Sequence, residues 1–453
     1  MATLYWGPKA GSSTGIWDNS TITNWFTDVG RTVPALSAPT SADDVVFDSA
    51  SDAGASFMIN INAGAACRDW TVTTTDFPIT FSHTSPITVS GSLSFPTTNI
   101  VRSGQFNITF NATSAQTVNF NGYNLDNSIT FNGVGGTWQL LSDLGTTSTA
   151  SASLVVTLTN GTINLNNFTL NAARFISSTL NTRAIQFGSG KLALFSAAGT
   201  TFDMAIANNF TYTGTPRIEG TFSGSGAAAR IFRFGSSSGG TASNTPNIHI
   251  VSGTDMLAIQ GAVNTVDLTG FSGTYGNYGT YIYGNFIASS GCTFSAGTNA
   301  LEFIGVAQSI TTMGKSLDFP MVFANSAGVF TFQDAITQVP VKTFTFTFGT
   351  IKLKAGTVNV VGSFVATNNG VAKTLSSTTP GTQATISQAS GAVVTSNMTI
   401  IDSNATGGAL WNAPTAQSNV NGGNNTGWNF GVPILSSMKY RYTRRKNKVI
   451  LQS

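Results

Sequence analysis

"GTINLNNFTLNA" (Gly161–Ala172) decides the fold. Ile163 and Leu165 alternate with Thr162 and Asn164; after Asn166-Asn167, Leu170 and Ala172 alternate with Thr169 and Asn171. Alternation at period two is the pattern of a strand with one buried face, and an Asn-Asn step suits the turn between two of them. Asn is depleted in ordinary strands. Stacked coils accept it, because like side chains from successive coils form ladders.

The same texture fills the chain. "ITVSGSLSF" (Ile87–Phe95), "FNITFNA" (Phe106–Ala112) and "KTFTFTFGTIKLKAGTVNVVG" (Lys342–Gly362) are short alternating runs. Between such runs stand Asn-Gly, Ser-Gly, Gly-Gly and Gly-Thr steps, which supply the positive φ of tight turns. Few of the runs are matched pairs around a two-residue loop, as hairpins would require. The reading is an all-β, elongated β-solenoid of the parallel β-helix type, with tandem β-sandwich domains as the alternative.

A longer period overlies the coils. "AQTVNFNGYNLDNSITFNGVGGTWQLLSD" from Ala115 and "AQSITTMGKSLDFPMVFANSAGVFTFQDA" from Ala307 align at an offset of 192, matching Gly122 with Gly314, Leu125-Asp126 with Leu317-Asp318, Phe131 with Phe323 and Trp138 with Phe330. "GTINL" from Gly161 similarly resembles "GTIKL" from Gly349. This predicts two copies of a unit of about 190 residues. The expected organisation is an N-terminal aromatic cap region (1–64), a first long β repeat (65–257), a second (258–400), a capping coil (401–432) and a basic tail (433–453). Trp6, Trp17 and Trp25 would plug one end and Trp428 with Phe430 the other, since a solenoid must cover its terminal edges.

Charged residues form only 9% of the 453, against roughly a quarter in an ordinary soluble domain. Glu219 and Glu302 are the two glutamates, and the scarcity of Glu, Lys and Arg removes the best helix formers. Six of the 21 bases (Lys439, Arg441, Arg444, Arg445, Lys446 and Lys448) crowd the last residues, so the body holds 15 bases against 18 acids. A faintly acidic body argues against nucleic acid as its partner. Cys67 and Cys292 have neither disulfide-scaffold nor metal spacing and read as small buried apolar residues. The opening lacks the basic start and apolar core of a signal peptide, and no run reaches membrane-span length, so the chain is expected to leave its cell by lysis or a dedicated exporter.

Few residues suggest chemistry. His83 and His249 are the only histidines and stand in unrelated contexts. Asp126 and Asp318 occupy matching places in the two copies, which reads as a turn position rather than a catalytic carboxylate pair. "ADDVVFDSASD" (Ala42–Asp52) carries Asp43, Asp44, Asp48 and Asp52; a Ca²⁺ site is one reading, and a strand at Val45–Phe47 between Asp-rich turns is the better one. No catalytic, cofactor or metal site is expected. "GTYGNYGTYIYGNF" (Gly273–Phe286) is the best ligand-facing candidate: Tyr275, Tyr278, Tyr281 and Tyr283 among glycines could stack on sugar rings. In the tail, Lys439 and Arg441 alternate with Tyr440 and Tyr442 ahead of Arg444, Arg445, Lys446 and Lys448, and an apolar Val449–Leu451 follows. That pattern suits a strand that adds to a partner's sheet edge; phosphate contact is a second reading.

The opening resembles a known group. Tyr5-Trp6-Gly7, Trp17-Asp18, Asn24-Trp25 and "PTSADDVVFD" (Pro39–Asp48) are similar to the start of β-strand-repeat proteins of bacteriophage virions and bacterial surface adhesins. "DSNATGG" from Asp402 and "NGGNNTGW" ending at Trp428 resemble their final coil. The resemblance implies a β-helical appendage without a fixed activity. The expected function is a non-enzymatic structural component of a phage virion, a tail fibre or capsid-attached fibre or decoration, docked through its tail to other virion proteins. By resemblance it is a homo-oligomer, a trimer, in contact with host surface polysaccharide. A surface adhesin and a polysaccharide-depolymerase tailspike are the alternatives.

Overall fold

The computed structural model describes residues 2–431 apart from 8–12, 53, 74, 97–98, 105, 124, 126, 146–152, 197–198, 223–228 and 236–244, and at the C-terminus the backbone of 443–445 and 448–450. The chain is all-β, a solenoid of about 16 turns of parallel stacked strands. Among the described residues the helical segments are single 3₁₀ turns such as Ser49–Ser51 and Thr415–Gln417, and no helix is long and apolar enough to cross a membrane. The tandem-sandwich alternative is therefore set aside: consecutive coils pair in parallel register, whereas sandwiches are built from antiparallel pairs.

The alternation read from the sequence is what winds the coil. In Thr343–Leu353 the chain buries Phe344, Phe346, Ile351 and Leu353, but Thr347 and Phe348 in the middle both face outward. That phase slip is a corner, and it is made at Gly349, whose φ is +89°. Val155–Asn164 repeats the pattern, with Thr159 and Asn160 both outward and Gly161 at φ +86°. The matching coil before each is bulged at corresponding places, between Phe131, Asn132 and Thr137 in one and between Phe323, Ala324 and Val329 in the other. The sequence repeat is thus a repeat of corner geometry as well as of residues.

The chain forms two compact units, Met1–Asn264 with Gly270–Gly273 and Thr265–Thr269 with Thr274–Ser453. The first unit opens on an indole cluster. Trp6 and Trp25 meet edge to face at 5.1 Å, Trp25 and Trp17 at 5.3 Å, and Trp17 and Trp70 at 5.2 Å. All four are fully buried. The strand Thr3–Trp6 is covered on one side by antiparallel Trp25–Phe26 (Tyr5 opposite Phe26, Trp6 opposite Trp25), which ends the sheet instead of leaving a parallel edge. On its other side it pairs in parallel with Asp44–Phe47, the first full coil.

Deeper in the unit, like residues stack on like: Phe110 on Phe131 at 5.1 Å and Phe175 on Phe202 at 5.6 Å. In the second unit the column runs Phe303–Phe323–Phe344–Phe364, centroids 5.2, 4.9 and 5.9 Å apart, and passes to Trp411, which meets Trp428 at 5.0 Å. Each such buried ring contributes about 2 kcal/mol of hydrophobic stabilisation. Cys67 and Cys292 are buried free thiols, and burial pushes the Cys67 thiol well above its ordinary range.

Among the described residues an ion pair lies inside. Arg230 donates to Asp255 at 2.8 Å with both side chains almost wholly buried. Arg183, also buried, spends its guanidinium on backbone carbonyls, including those of Asn181 at 2.9 Å and Asn208 at 2.7 Å, tying loops of adjacent coils together.

Candidate functional site

With every other side chain committed to the core, interaction chemistry falls to the outward positions. The tyrosine-rich strand Thr274–Ile282 shows how alternation sorts them. Tyr275 points inward and is fully buried, its hydroxyl 3.2 Å from Thr280 Oγ1 and its ring edge-on to Phe286 and Phe294. Burial pushes its phenol far above the ordinary range. It is a core residue, and the expectation that it faces a ligand is corrected here. Tyr278 is exposed, and Tyr281 and Tyr283 are half-buried on the outside.

Tyr281 stands in register with Glu302 of the following coil, and Glu302 with Val322 of the next. Burial raises the Glu302 carboxyl above its usual range, and no hydrogen bond or ion pair joins it to another described residue. Nothing in the sequence marks Glu302 as Tyr281's neighbour. Their juxtaposition depends on coil length, which the eye cannot count through irregular corners.

In the first unit four successive coils carry a neutral polar face. Thr88, Thr109, Thr130 and Thr157 are Cα partners in four successive coils. Two residues further along (three after Thr157, past a register shift), Ser90, Asn111, Asn132 and Asn160 make an adjoining column. Ser90 Oγ donates to Asn111 Oδ1 at 2.8 Å and Asn160 Nδ2 to Asn132 Oδ1 at 2.7 Å. These are the ladders that the Asn- and Thr-containing strands implied.

Charge flanks this face on both sides: Arg68, paired with Asp44 and Asp69, stands on the coil before Thr88. Arg174 partners Val155, and Lys191, Arg217, Glu219 and His249 gather on later coils. Lys191 Nζ lies 2.7 Å from Glu219 Oε2, and an Arg217 Nη lies 2.5 Å from Glu219 Oε1 and 3.0 Å from His249 Nδ1. A guanidinium can only donate, so in this contact Nδ1 is the acceptor. The carboxylate is saturated by two cations, an arrangement that clamps neighbouring coils rather than doing acid–base work.

The Asp-rich stretch is structural. Asp44–Phe47 is a strand, and each carboxylate has its own partner. Asp43 accepts from Ala2 N at 3.0 Å and from Thr40 Oγ1 at 2.7 Å; Asp44 pairs with Arg68, and Asp48 with Arg31. Asp52 accepts the N–H groups of Asp76 and Phe77. Burial works against ionisation of Asp43, but the hydrogen bonds of Thr40 and Ala2 outweigh it and hold the carboxyl below the usual range.

Asp318 lies 3.3 Å from Lys342 Nζ, so its carboxylate serves an ion pair. Asp126 lies outside the described residues, as do Lys439, Tyr440, Arg441, Tyr442 and Lys446. Of the remaining tail candidates, Arg444, Arg445 and Lys448 are described as backbone only, in an antiparallel pair of Thr443–Arg445 with Lys448–Ile450. Among the described residues no group of three or more His, Cys, Asp or Glu side chains is placed to hold a metal ion. Compared with family models, curated proteins and solved structures, the chain matches none of them.

Proposed function

We propose that the chain is a non-enzymatic structural component of a bacteriophage virion, a tail fibre or capsid-attached fibre or decoration. In this reading it assembles as a homotrimer, docks to other virion proteins through Lys439–Lys448, and meets host surface polysaccharide along its outward faces. The observation that carries the reading is the position of the two segments that resemble virion proteins. Tyr5-Trp6-Gly7, Trp17 and Trp25 supply the indole cluster and antiparallel cover of the opening coil, and the segment ending at Trp428 packs that ring on Trp411 in the last coils. The resemblance therefore lies in the parts that terminate a solenoid, where solenoids of different length must still be alike. A β-solenoid alone is compatible with many roles.

Immunogold electron microscopy of a lysate from the source culture, with antibody raised against the purified protein, tests this. Gold on phage particles is expected, and its position on head or tail separates decoration from receptor contact. Gold on cell envelopes beside bare particles would overturn the proposal in favour of a surface adhesin.

A further inference from the structure

We infer that the Thr88–Thr109–Thr130–Thr157 column, with its Ser/Asn neighbour, is a binding surface for a neutral, linear polysaccharide. The inference deepens the proposed glycan contact and rests on it.

The four threonines come from successive coils in unbroken register, so their hydroxyls repeat at the strand spacing and the column extends about 14 Å. No hydrogen bond ties any of the four hydroxyls to another described protein group, whereas the adjoining amides are spent on one another. Each free hydroxyl offers one donor and two acceptor positions. Threonine is stiff at χ1, and Thr109 and Thr130 are held by threonines above and below, so little side-chain freedom remains to be lost on binding. The Cγ methyls add apolar contact between the hydroxyls, which matches the mixed polar and C–H surface of a pyranose.

Charge selects the occupant. The two columns contain no ionisable residue; on the coil before Thr88 the nearest cation, Arg68, is already held by Asp44 and Asp69, and on the other side Arg174 comes only at the coil after Val155. An anionic chain laid here would give up hydration with no cation in return, whereas a neutral polyhydroxyl chain exchanges water for equivalent hydrogen bonds. The shorter threonine column of the second unit, Thr350–Thr374–Thr399, has Lys352 beside Thr350 on the same strand and lacks this neutrality.

The test is affinity electrophoresis of the full-length protein in native gels containing dextran, laminarin or galactomannan, with alginate and hyaluronate as anionic comparisons. Retardation is expected in at least one neutral gel, insensitive to salt. It should weaken about tenfold or more in the Thr109→Ala/Thr130→Ala double variant, and be lost in Thr109→Lys/Thr130→Lys. Thr374→Lys should bind normally. Circular dichroism establishes that each variant is folded, and the alanine pair decides the matter if the lysine pair is not. The inference is overturned by absence of retardation in every neutral gel, by unchanged retardation of the folded alanine variant, or by preference for the anionic gels. Self-association abolished by the same substitutions without glycan retardation would assign the face to a second copy of the chain and equally overturn it. Gold on particles with no retardation would sink this inference alone; retardation with gold only on cell envelopes would sink the virion reading and leave the binding surface standing.

Discussion

Gly161 and Gly349 make the same corner in two different coils. Each has φ near +90°, and a Cβ at either would fall about 2.6 Å from two carbonyl oxygens of the coil before: those of Gly133 and Gly136 for the first, and of Asn325 and Gly328 for the second. The aromatic ring that closes the corner is Trp138 in one and Phe330 in the other. A substitution here meets both a backbone conformation hostile to L residues and a wall of backbone that cannot step aside.

Gly161→Ala and Gly349→Ala are each expected to destabilise by about 2 kcal/mol or more. Chemical denaturation followed by fluorescence would show it. Trp411 and Trp428 report the second unit and the other five indoles the first, so each variant should shift only its own transition. A shift of both together would show that the units unfold as one.

Removing one partner of the Arg230–Asp255 pair takes its counter-charge from a buried group. Arg230→Met should cost about 3–5 kcal/mol, and Arg230→Met/Asp255→Leu should recover most of it. A double-mutant cycle in urea checks this, and a double variant as unstable as the single one would contradict it.

His83 is buried, and burial depresses its ring to a pKa of about 4. The unfolded chain takes up that proton near the ordinary value of about 6.5, so the unfolded state binds more protons between the two values. Stability from this residue is therefore complete above about pH 6.5 and is lost as pH falls to about 4, by about 3 kcal/mol in all. Urea midpoints at pH 7 and pH 4.5 measure the slope, which His83→Leu should reduce. An unchanged slope in that variant would refute the assignment.

Trp17 is fully buried among rings, and its indole N–H has no hydrogen-bond acceptor among the described groups. Trp17→Phe should thus cost less than about 1.5 kcal/mol, and Trp17→Ala about 3–5 kcal/mol. Thermal melts of the two variants distinguish a packing role from a polar one.

Removal of residues 433–453 should leave the coils folded and abolish incorporation into particles. The check is the protein content of purified particles made with the truncated chain, and normal incorporation would remove the tail from the docking model.

Much of this fold was legible because a strand's alternation is local. Ile163, Leu165, Phe344 and Phe346 declare their inward faces within a few residues, and Gly161 and Gly349 announce their corners. Tyr275 was misread because four tyrosines among glycines suggested a ring-stacking surface, when the chain there is a strand whose phase turns that ring into the core. The threonine column and the Tyr281–Glu302 register were not visible at all. They depend on how many residues each turn consumes, and the corners vary that number. Register between coils is a property of the wound chain and not of any window along it.

The parallel stacking gives the gene a second reading frame, two residues long. Inserting or deleting a single residue within Val155–Asn164 or Thr343–Leu353 would exchange inside for outside along the remainder of the strand, putting threonines in the core and apolar side chains in water. At the corners near Leu36, Leu180 and Val341, where apolar side chains already stand in solvent, the same change costs little. Heritable length variation should therefore accumulate at corners or arrive as whole turns, the same increment by which one long unit could be copied into two.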